Sequence, residues 1–379
     1  MESGILKPMR VAVVGCGAIS DIYLTNMTQR FSNLEVVACC ANTFAHAEKK
    51  AEQYGIKACT YEEILADSSI ELIVNLTPVP AHYEIIHKAL SAGKHVYTEK
   101  TMTVTCAQAA ELMVLAKEKG LYLCSAPDTF LGAALQTARQ AIEKGILGEI
   151  TSCVLYANRD LNLLTSLFSF LRKPGGGICA DYGVYFLTAA VALLGSVEKV
   201  AALVQNPYPK RQNIASESPE FGTWMDYPNE SQVSAVLRFE RGITGTFHLN
   251  GDSSIADQTG LFIFGTKGIL KLPDPNGFGG DVVFLPNPVT EGTGDAQVLP
   301  CTFDYGDNSR GIGPSEMAEA IRQGRKARTD CTMAYHVMDI IESIMISSEE
   351  ERFVTVSSRS EQPVQTGCQS LDCILENEQ

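Results

Sequence analysis

Short apolar runs alternate with amphipathic stretches over the first third of the chain. Val11-Ala12-Val13-Val14 reads as a buried strand, and the stretch through Tyr23 and Met27 reads as the helix after it. Leu34 to Cys40, Leu72 to Asn75, His95 to Tyr97 and Leu121 to Cys124 repeat the strand signal. Ala45 to Tyr54, about His82 to Ala92, and Cys106 to Lys119 carry helical spacing. Continuous apolar strands separated by helices of this length predict crossover units, and so a parallel sheet covered on both faces. The first unit is therefore an α/β, doubly wound domain, assigned to residues 1–128.

The texture then changes. A helix is expected from about Leu131 to Lys144, a strand from Ile150 to Tyr156, and a mostly apolar helix from Asp181 to Leu194 after three consecutive glycines. Val197 to Leu285 is dominated by strands and turns, with hairpin signals at Arg241-Gly242 and Lys267-Gly268. Helices return at about Ser315 to Gln323 and Met333 to Ser348. Strands in succession flanked by helices predict an α+β domain with a mainly antiparallel sheet, assigned to residues 129–379.

Charge narrows the partners. Lys plus Arg number 30 against 44 Asp plus Glu, a formal net charge of −14. So negative a surface argues against nucleic acid, whose phosphates need a basic face. No apolar run approaches the ~20 residues of a membrane helix, and Met1 to Arg10 lack the basic-then-apolar layout of a signal peptide. No membrane partner is expected, and the cytoplasm is the expected compartment. Twelve cysteines are scattered through the chain without the paired spacing of a zinc site. They read as reduced thiols filling small core positions, with no metal expected.

The candidate chemistry begins where the first strand ends. Gly15-Cys16-Gly17-Ala18-Ile19-Ser20 offers a tight turn at Gly15 and a bare backbone at Gly17, as a pyrophosphate needs at a helix N-terminus. Ser20 replaces the third glycine of the fingerprint and is small enough for helix–strand packing. An NAD-binding strand of this kind commonly ends in a carboxylate for the ribose, but Ala41 stands there. Asn42 and Thr43 remain to bond the ribose hydroxyls. With no carboxylate to repel a 2′-phosphate and no cation nearer than Lys49 and Lys50 to hold one, the cofactor reads as NAD or NADP, with NAD favoured.

Further along come Thr77-Pro78 with His82, then Glu99-Lys100, then Gly175-Gly176-Gly177-Ile178-Cys179-Ala180-Asp181-Tyr182-Gly183-Val184-Tyr185. In this order and spacing they resemble the Gfo/Idh/MocA oxidoreductases, the family of glucose–fructose oxidoreductase and inositol dehydrogenase, over about Met9 to Gln365. The resemblance implies a Rossmann domain, a second domain with a large open sheet, and a homo-oligomer built through that sheet. It also implies hydride transfer between a nicotinamide and a secondary hydroxyl of a sugar, polyol or glycoside. Gly15, Gly17, Ala18, Ile19, Asn42, Thr43, Thr77, Pro78, His82, Glu99 and Lys100 are then the cofactor-binding candidates, and Lys100, Asp181 and Tyr185 the catalytic ones.

Each candidate has a plainer alternative. Lys100 places an ammonium where alkoxide charge develops, or is a solvated strand-end lysine. Asp181 accepts from a substrate hydroxyl, or caps the following helix. Tyr185 stands where the family commonly has histidine; it exchanges the substrate proton with help from Lys100, or packs in the core. Ala126-Pro127-Asp128-Thr129-Phe130 and Pro273-Asp274-Pro275-Asn276, followed by Phe278-Gly279-Gly280, resemble a sugar or glycoside dehydrogenase branch that carries this tyrosine. Asp128, Lys173 and His336 are substrate candidates, against readings as a turn former, a surface lysine and a structural histidine. The absence of an Arg cluster near these motifs points to a neutral substrate. Cleavage of a glycoside by transient oxidation and elimination, and a non-catalytic dinucleotide sensor, remain alternatives to a dehydrogenase.

Overall fold

The computed structural model describes residues 7–255, 258–292 and 294–366. Its first part runs β1 (Met9–Val14), α1 (Ser20–Gln29), β2 (Leu34–Cys40), α2 (Phe44–Tyr54), β3 (Lys57–Ala58), α3 (Tyr61–Ala66), β4 (Leu72–Asn75), α4 (His82–Ser91), β5 (His95–Thr98), α5 (Cys106–Lys119) and β6 (Leu123–Ser125). The six strands form one parallel sheet in the order β3-β2-β1-β4-β5-β6. Val11 and Val13 face one apolar core while Ala12 and Val14 face another, so the sheet is covered on both sides as its apolar strands require. Strand order reverses between β1 and β4, which opens a crevice at their C-terminal ends. β3 and α3 escape the hydrophobic pattern: β3 is two residues pairing at the sheet edge, and α3 is fixed by a Thr60–Glu63 capping box rather than by an apolar stripe.

The second part contains α6 (Ala133–Glu143), β7 (Ile150–Asn158), α7 (Leu161–Leu167), α8 (Val184–Leu194), β8 (Val197–Gln205), β9 (Lys210–Gln212), β10 (Trp224–Asp226), β11 (Gln232–Phe239), β12 (Thr244–Asn250), β13 (Thr259–Gly265), β14 (Gly268–Leu272), β15 (Val283–Pro286), β16 (Gln297–Val298), α9 (Ile312–Gln323), α10 (Cys331–Glu350) and β17 (Val354–Thr355). Nine strands form a sheet in the order β16-β15-β14-β13-β7-β12-β11-β8-β17, in which only β7 and β12 pair in parallel. The two expected hairpins join β11 to β12 and β13 to β14; at the first, Arg241 and Gly242 both take positive φ. β9 and β10 pair with each other outside this sheet.

Along β11, buried Val233, Ala235, Leu237 and Phe239 alternate with exposed Ser234, Val236 and Arg238. The buried face joins a core that runs from Val11 and Tyr23 through Phe130 and Leu187 to Val233 and Ile340. The last helices tie the two sheets together. Ser125 N donates to Thr329 O just before α10, and Tyr122 Oη donates to Arg325 O just after α9. Among the described residues no helix is long and apolar enough to cross a membrane.

Candidate active site

The turn after β1 is fixed by contacts that only glycine tolerates. Gly15 N donates to Cys40 O at 2.9 Å, with φ +104°. A Cβ there meets the backbone of Leu76 and Thr77 at 2.8–2.9 Å. At Gly17 a Cβ meets nothing within 4 Å, so the backbone faces open space. Ser20 Oγ donates back to Gly17 O at 2.6 Å and stays buried, seating the first turn of α1. Gly17, Ala18 and Ile19 thus line an approach to a helix N-terminus that suits a pyrophosphate. The bare position at Gly17 is the feature that fits a dinucleotide.

At the end of β2, Asn42 and Thr43 are exposed, and neither side chain has a partner among the described residues. Lys50 is bound to Asp21, which also accepts from Tyr54 Oη at 3.1 Å. At the end of β4, Asn75 Oδ1 accepts from Thr77 N and Thr77 Oγ1, at 3.3 and 2.8 Å, and so shapes the loop carrying Pro78. His82 lies beneath this loop. It is fully buried, with Nε2 2.7 Å from Thr77 O and Nδ1 2.8 Å from Thr101 O. That geometry makes it a clamp between two site loops instead of a cofactor contact.

β5 delivers Glu99 and Lys100. Glu99 is buried, accepts from Tyr23 Oη at 2.7 Å, and accepts from Lys100 N at 3.0 Å. Lys100 Nζ donates to Asp181 Oδ1 at 2.6 Å and to Asp181 O at 2.7 Å. It lies 5.5 Å from the centre of the Tyr185 ring. Burial alone pushes the Lys100 ammonium down, but Asp181 beside it, with Tyr185 and Glu99, holds it above the usual lysine range. Lys100 is therefore a fixed cation.

Asp181 and Tyr185 do not share one straight α-helix. Cys179–Gly183 forms a π-helical turn, and α8 begins only at Val184. The cause is external: Ile178 N and Cys179 N donate to Glu230 O and Oε1, while Gly183 packs so closely on β12 that a Cβ meets Leu249 and Phe247 at 2.7–2.8 Å. Asp181 does not cap α8; its carboxylate takes Lys100 instead. Burial pushes the Tyr185 phenol above its ordinary value, while Lys100 and Arg310 pull it down; burial wins.

Arg310 was not legible in the sequence, because nothing in its spacing separates it from a loop arginine. Its positive charge draws the Tyr185 phenol down, and its two terminal nitrogens are held by Asn276 Oδ1 at 2.7 Å and Asn308 Oδ1 at 2.8 Å. The Tyr182 ring lies 6.3 Å from that of Tyr185; Tyr182 Oη donates to Asp274 Oδ2 at 2.6 Å, and the Arg159 guanidinium lies 4.2 Å over the Tyr182 ring. The expectation that no arginine cluster stands beside the site is thereby corrected. Both are distant in sequence, and the end of β7 and the loop before α9 bring them in.

The remaining candidates fall elsewhere. Asp128 is buried and its Oδ2 accepts from Gly313 N at 3.0 Å, fastening the end of β6 to the start of α9. Lys173 is exposed on the loop before the glycines, and its side chain has no partner among the described residues. His336 is buried in α10, with Nε2 accepting from Val197 N at 3.1 Å and Nδ1 2.8 Å from Ser358 Oγ. Burial lowers its pKa to about 4, so it is a neutral core histidine outside this cluster.

Two family models match the chain. One, an oxidoreductase family with an NAD-binding Rossmann fold, covers residues 9–126, and the other, the GFO/IDH/MocA C-terminal domain, covers residues 135–271. The chain belongs to this oxidoreductase family. An uncharacterised oxidoreductase of Schizosaccharomyces pombe is 33 % identical over 205 residues, 53 % of this chain and 56 % of that one. The chain thus matches little more than half the length of that relative. D-glucoside 3-dehydrogenase of Escherichia coli is 28 % identical over 246 residues, 62 % of this chain and 68 % of that one. The crystal structure of an NAD-binding oxidoreductase from Klebsiella pneumoniae shares the fold, with a TM-score of 0.80 at 21 % identity over 93 % of this chain and all of that one.

Proposed function

We propose that this oxidoreductase transfers a hydride from a secondary hydroxyl of a neutral sugar or glycoside to NAD. The observation that carries the reading is Lys100 held against Asp181, with Tyr185 beside it, at the crevice end of the parallel sheet. A dinucleotide held at the Gly15–Gly17 turn would supply the nicotinamide as hydride acceptor. Lys100 stabilises the negative charge that grows on the substrate oxygen. The free Oδ2 of Asp181 accepts from a second hydroxyl and orients the ring. Tyr185 takes the alcohol proton, with Lys100 and Arg310 favouring its phenolate against the cost of burial.

A neutral substrate is supported by the charge ledger of the site. The cations Lys100, Arg159 and Arg310 stand against the carboxylates Glu99, Asp181 and Asp274, which leaves no surplus positive charge for an acid or phosphate. The relative named for glucosides supports a sugar ring. NAD is preferred over NADP because Lys50, a cation close to the ribose end, is committed to Asp21. Residues 1–128 hold the dinucleotide, and 129–379 supply the substrate side. Exposed Leu203 and Val236 on the outer face of the nine-stranded sheet support a homo-oligomer through that face, and the ten cysteines among the described residues, all unpaired thiols, suit the cytoplasm.

The test is reduced-nicotinamide absorbance after adding NAD or NADP with a panel of sugars and glycosides. Accumulating reduction with at least one glycoside, faster with NAD, is the expected result. Cofactor binding with no reduction by any sugar sinks the reading.

A further inference from the structure

Residues drawn from 273–279 and 306–310 line an open recess of about 480 Å³ beside the reaction centre, within the ~300–1,000 Å³ range of small-ligand sites. Two side chains belong to both places. Arg310 lines the recess, and its charge acts on the Tyr185 phenol. Asp274 lines it too, and accepts from Tyr182, the neighbour of Asp181.

The wall keeps unspent hydrogen-bonding capacity. Arg310 occupies the side-chain oxygens of Asn276 and Asn308, which leaves both amide Nδ2 groups with no partner among the described residues. Asp307 gives Oδ1 to Arg30 and Ser309, while its Oδ2 stays open. Because Arg310 grips the oxygens, the two amides are fixed as donors toward a ligand. The Phe278 ring lies under the Arg310 guanidinium, 5.8 Å from it, and gives the recess an apolar floor. Asp274 and Asp307 balance Arg310 and Arg30, so an anion finds no net attraction here. Fixed donors, open acceptors and an apolar floor, without surplus charge, suit a ring that carries hydroxyls in several directions.

We propose that this recess binds the second ring of a glycoside, so that the preferred substrate is a disaccharide or a glycoside of a polyhydroxy alcohol and not a free monosaccharide. The proposal rests on the sugar-oxidising reading above. It assigns Asn276, Asn308 and Asp307 to the ring that is not oxidised.

Gly277 gives the means of testing it. A Cβ there meets only Asp274 O at 3.4 Å and Gly279 O at 3.9 Å, and its φ lies outside the glycine-favouring region. A larger side chain at 277 is therefore compatible with the fold and fills the recess. The experiment titrates NADH-saturated protein calorimetrically with maltose, cellobiose and the methyl α- and β-glucosides. The better disaccharide is expected to bind about tenfold more tightly than the methyl glucoside of its anomer, as two added hydrogen bonds imply. In Gly277→Leu that advantage disappears, while methyl glucoside affinity changes less than about twofold. Equal affinities in the native protein, or equal losses in the variant, overturn the subsite. If no sugar binds and none is oxidised, the dehydrogenase reading falls with it; if only the disaccharide advantage is missing, the subsite alone is wrong.

Discussion

Lys100 Nζ meets Asp181 twice, at Oδ1 and at the backbone oxygen, 2.6 and 2.7 Å away. The pair joins the end of β5 to the π-turn before α8, two segments some eighty residues apart. It offsets the burial that alone lowers this lysine's pKa, so the lysine stays charged. Asp181→Ala removes the compensation, so the Lys100 pKa falls. The neutral amine fraction at pH 8 rises by roughly tenfold or more, one factor of ten per unit. Mass-spectrometric labelling with acetic anhydride reads this as faster acetylation at Lys100, with other lysines unchanged.

Tyr185 gives the reaction its pH dependence. A base must be deprotonated to accept, and burial holds this phenol above its ordinary value of 10.0. The active fraction therefore falls about tenfold for each pH unit below that value. Sugar oxidation by the native protein should climb with a slope near one from pH 7 upward. Tyr185→Phe should lower kcat by roughly 10²–10⁴-fold and flatten the profile, with KM little changed. A Tyr185→Phe variant with full single-turnover hydride transfer reduces Tyr185 to a packing residue.

The two turn glycines separate folding from cofactor binding. Gly15→Ala forces a side chain into positive φ and against the Leu76 backbone. It should destabilise the protein by at least ~1–3 kcal/mol. Gly17→Val enters open space, so its melting temperature should stay near that of the native protein while NAD binding weakens by more than about a hundredfold. Thermal melts with and without NAD distinguish the two.

Asp128 makes stability depend on pH in a stated direction. Burial raises its carboxyl from 3.8 to about 6, with Gly313 N opposing the shift. The folded state thus favours the protonated form. The associated stability is fully present below the unfolded value and lost as pH rises through about 6. Asp128→Asn, which still accepts from Gly313 N, should raise the melting temperature at pH 8 and leave it unchanged at pH 3.5. A variant no more stable at pH 8 contradicts this.

Much of the frame was readable because strand and helix periods are strong where both faces of a sheet are covered. β1, β2 and β4 are uninterrupted apolar runs, and α5 ends where its last lysine meets Gly120. β3, α3, α7 and the β9–β10 pair were not readable, since their stability comes from an edge, a capping box or a neighbour and not from a stripe. The motif residues Lys100, Asp181 and Tyr185 do converge. The π-turn holding Asp181 was hidden because Glu230, about fifty residues on, takes its amides. Arg159 and Arg310 were hidden for the same reason: tertiary structure alone brings them to Tyr182 and Tyr185. His82 and Asp128 stand near the site as braces because their polar atoms are satisfied by backbone groups.

Lys100 offers the most direct measurement. Lys100→Met keeps an unbranched side chain one atom shorter and removes the charge. Hydride transfer from a glycoside to bound NAD is followed in a single turnover by the rise of reduced-nicotinamide absorbance. The variant is expected to bind NAD normally and to lose roughly 10²–10³-fold in the transfer rate. A rate within a fewfold of the native protein's, with the cofactor bound, contradicts the role given to this ammonium.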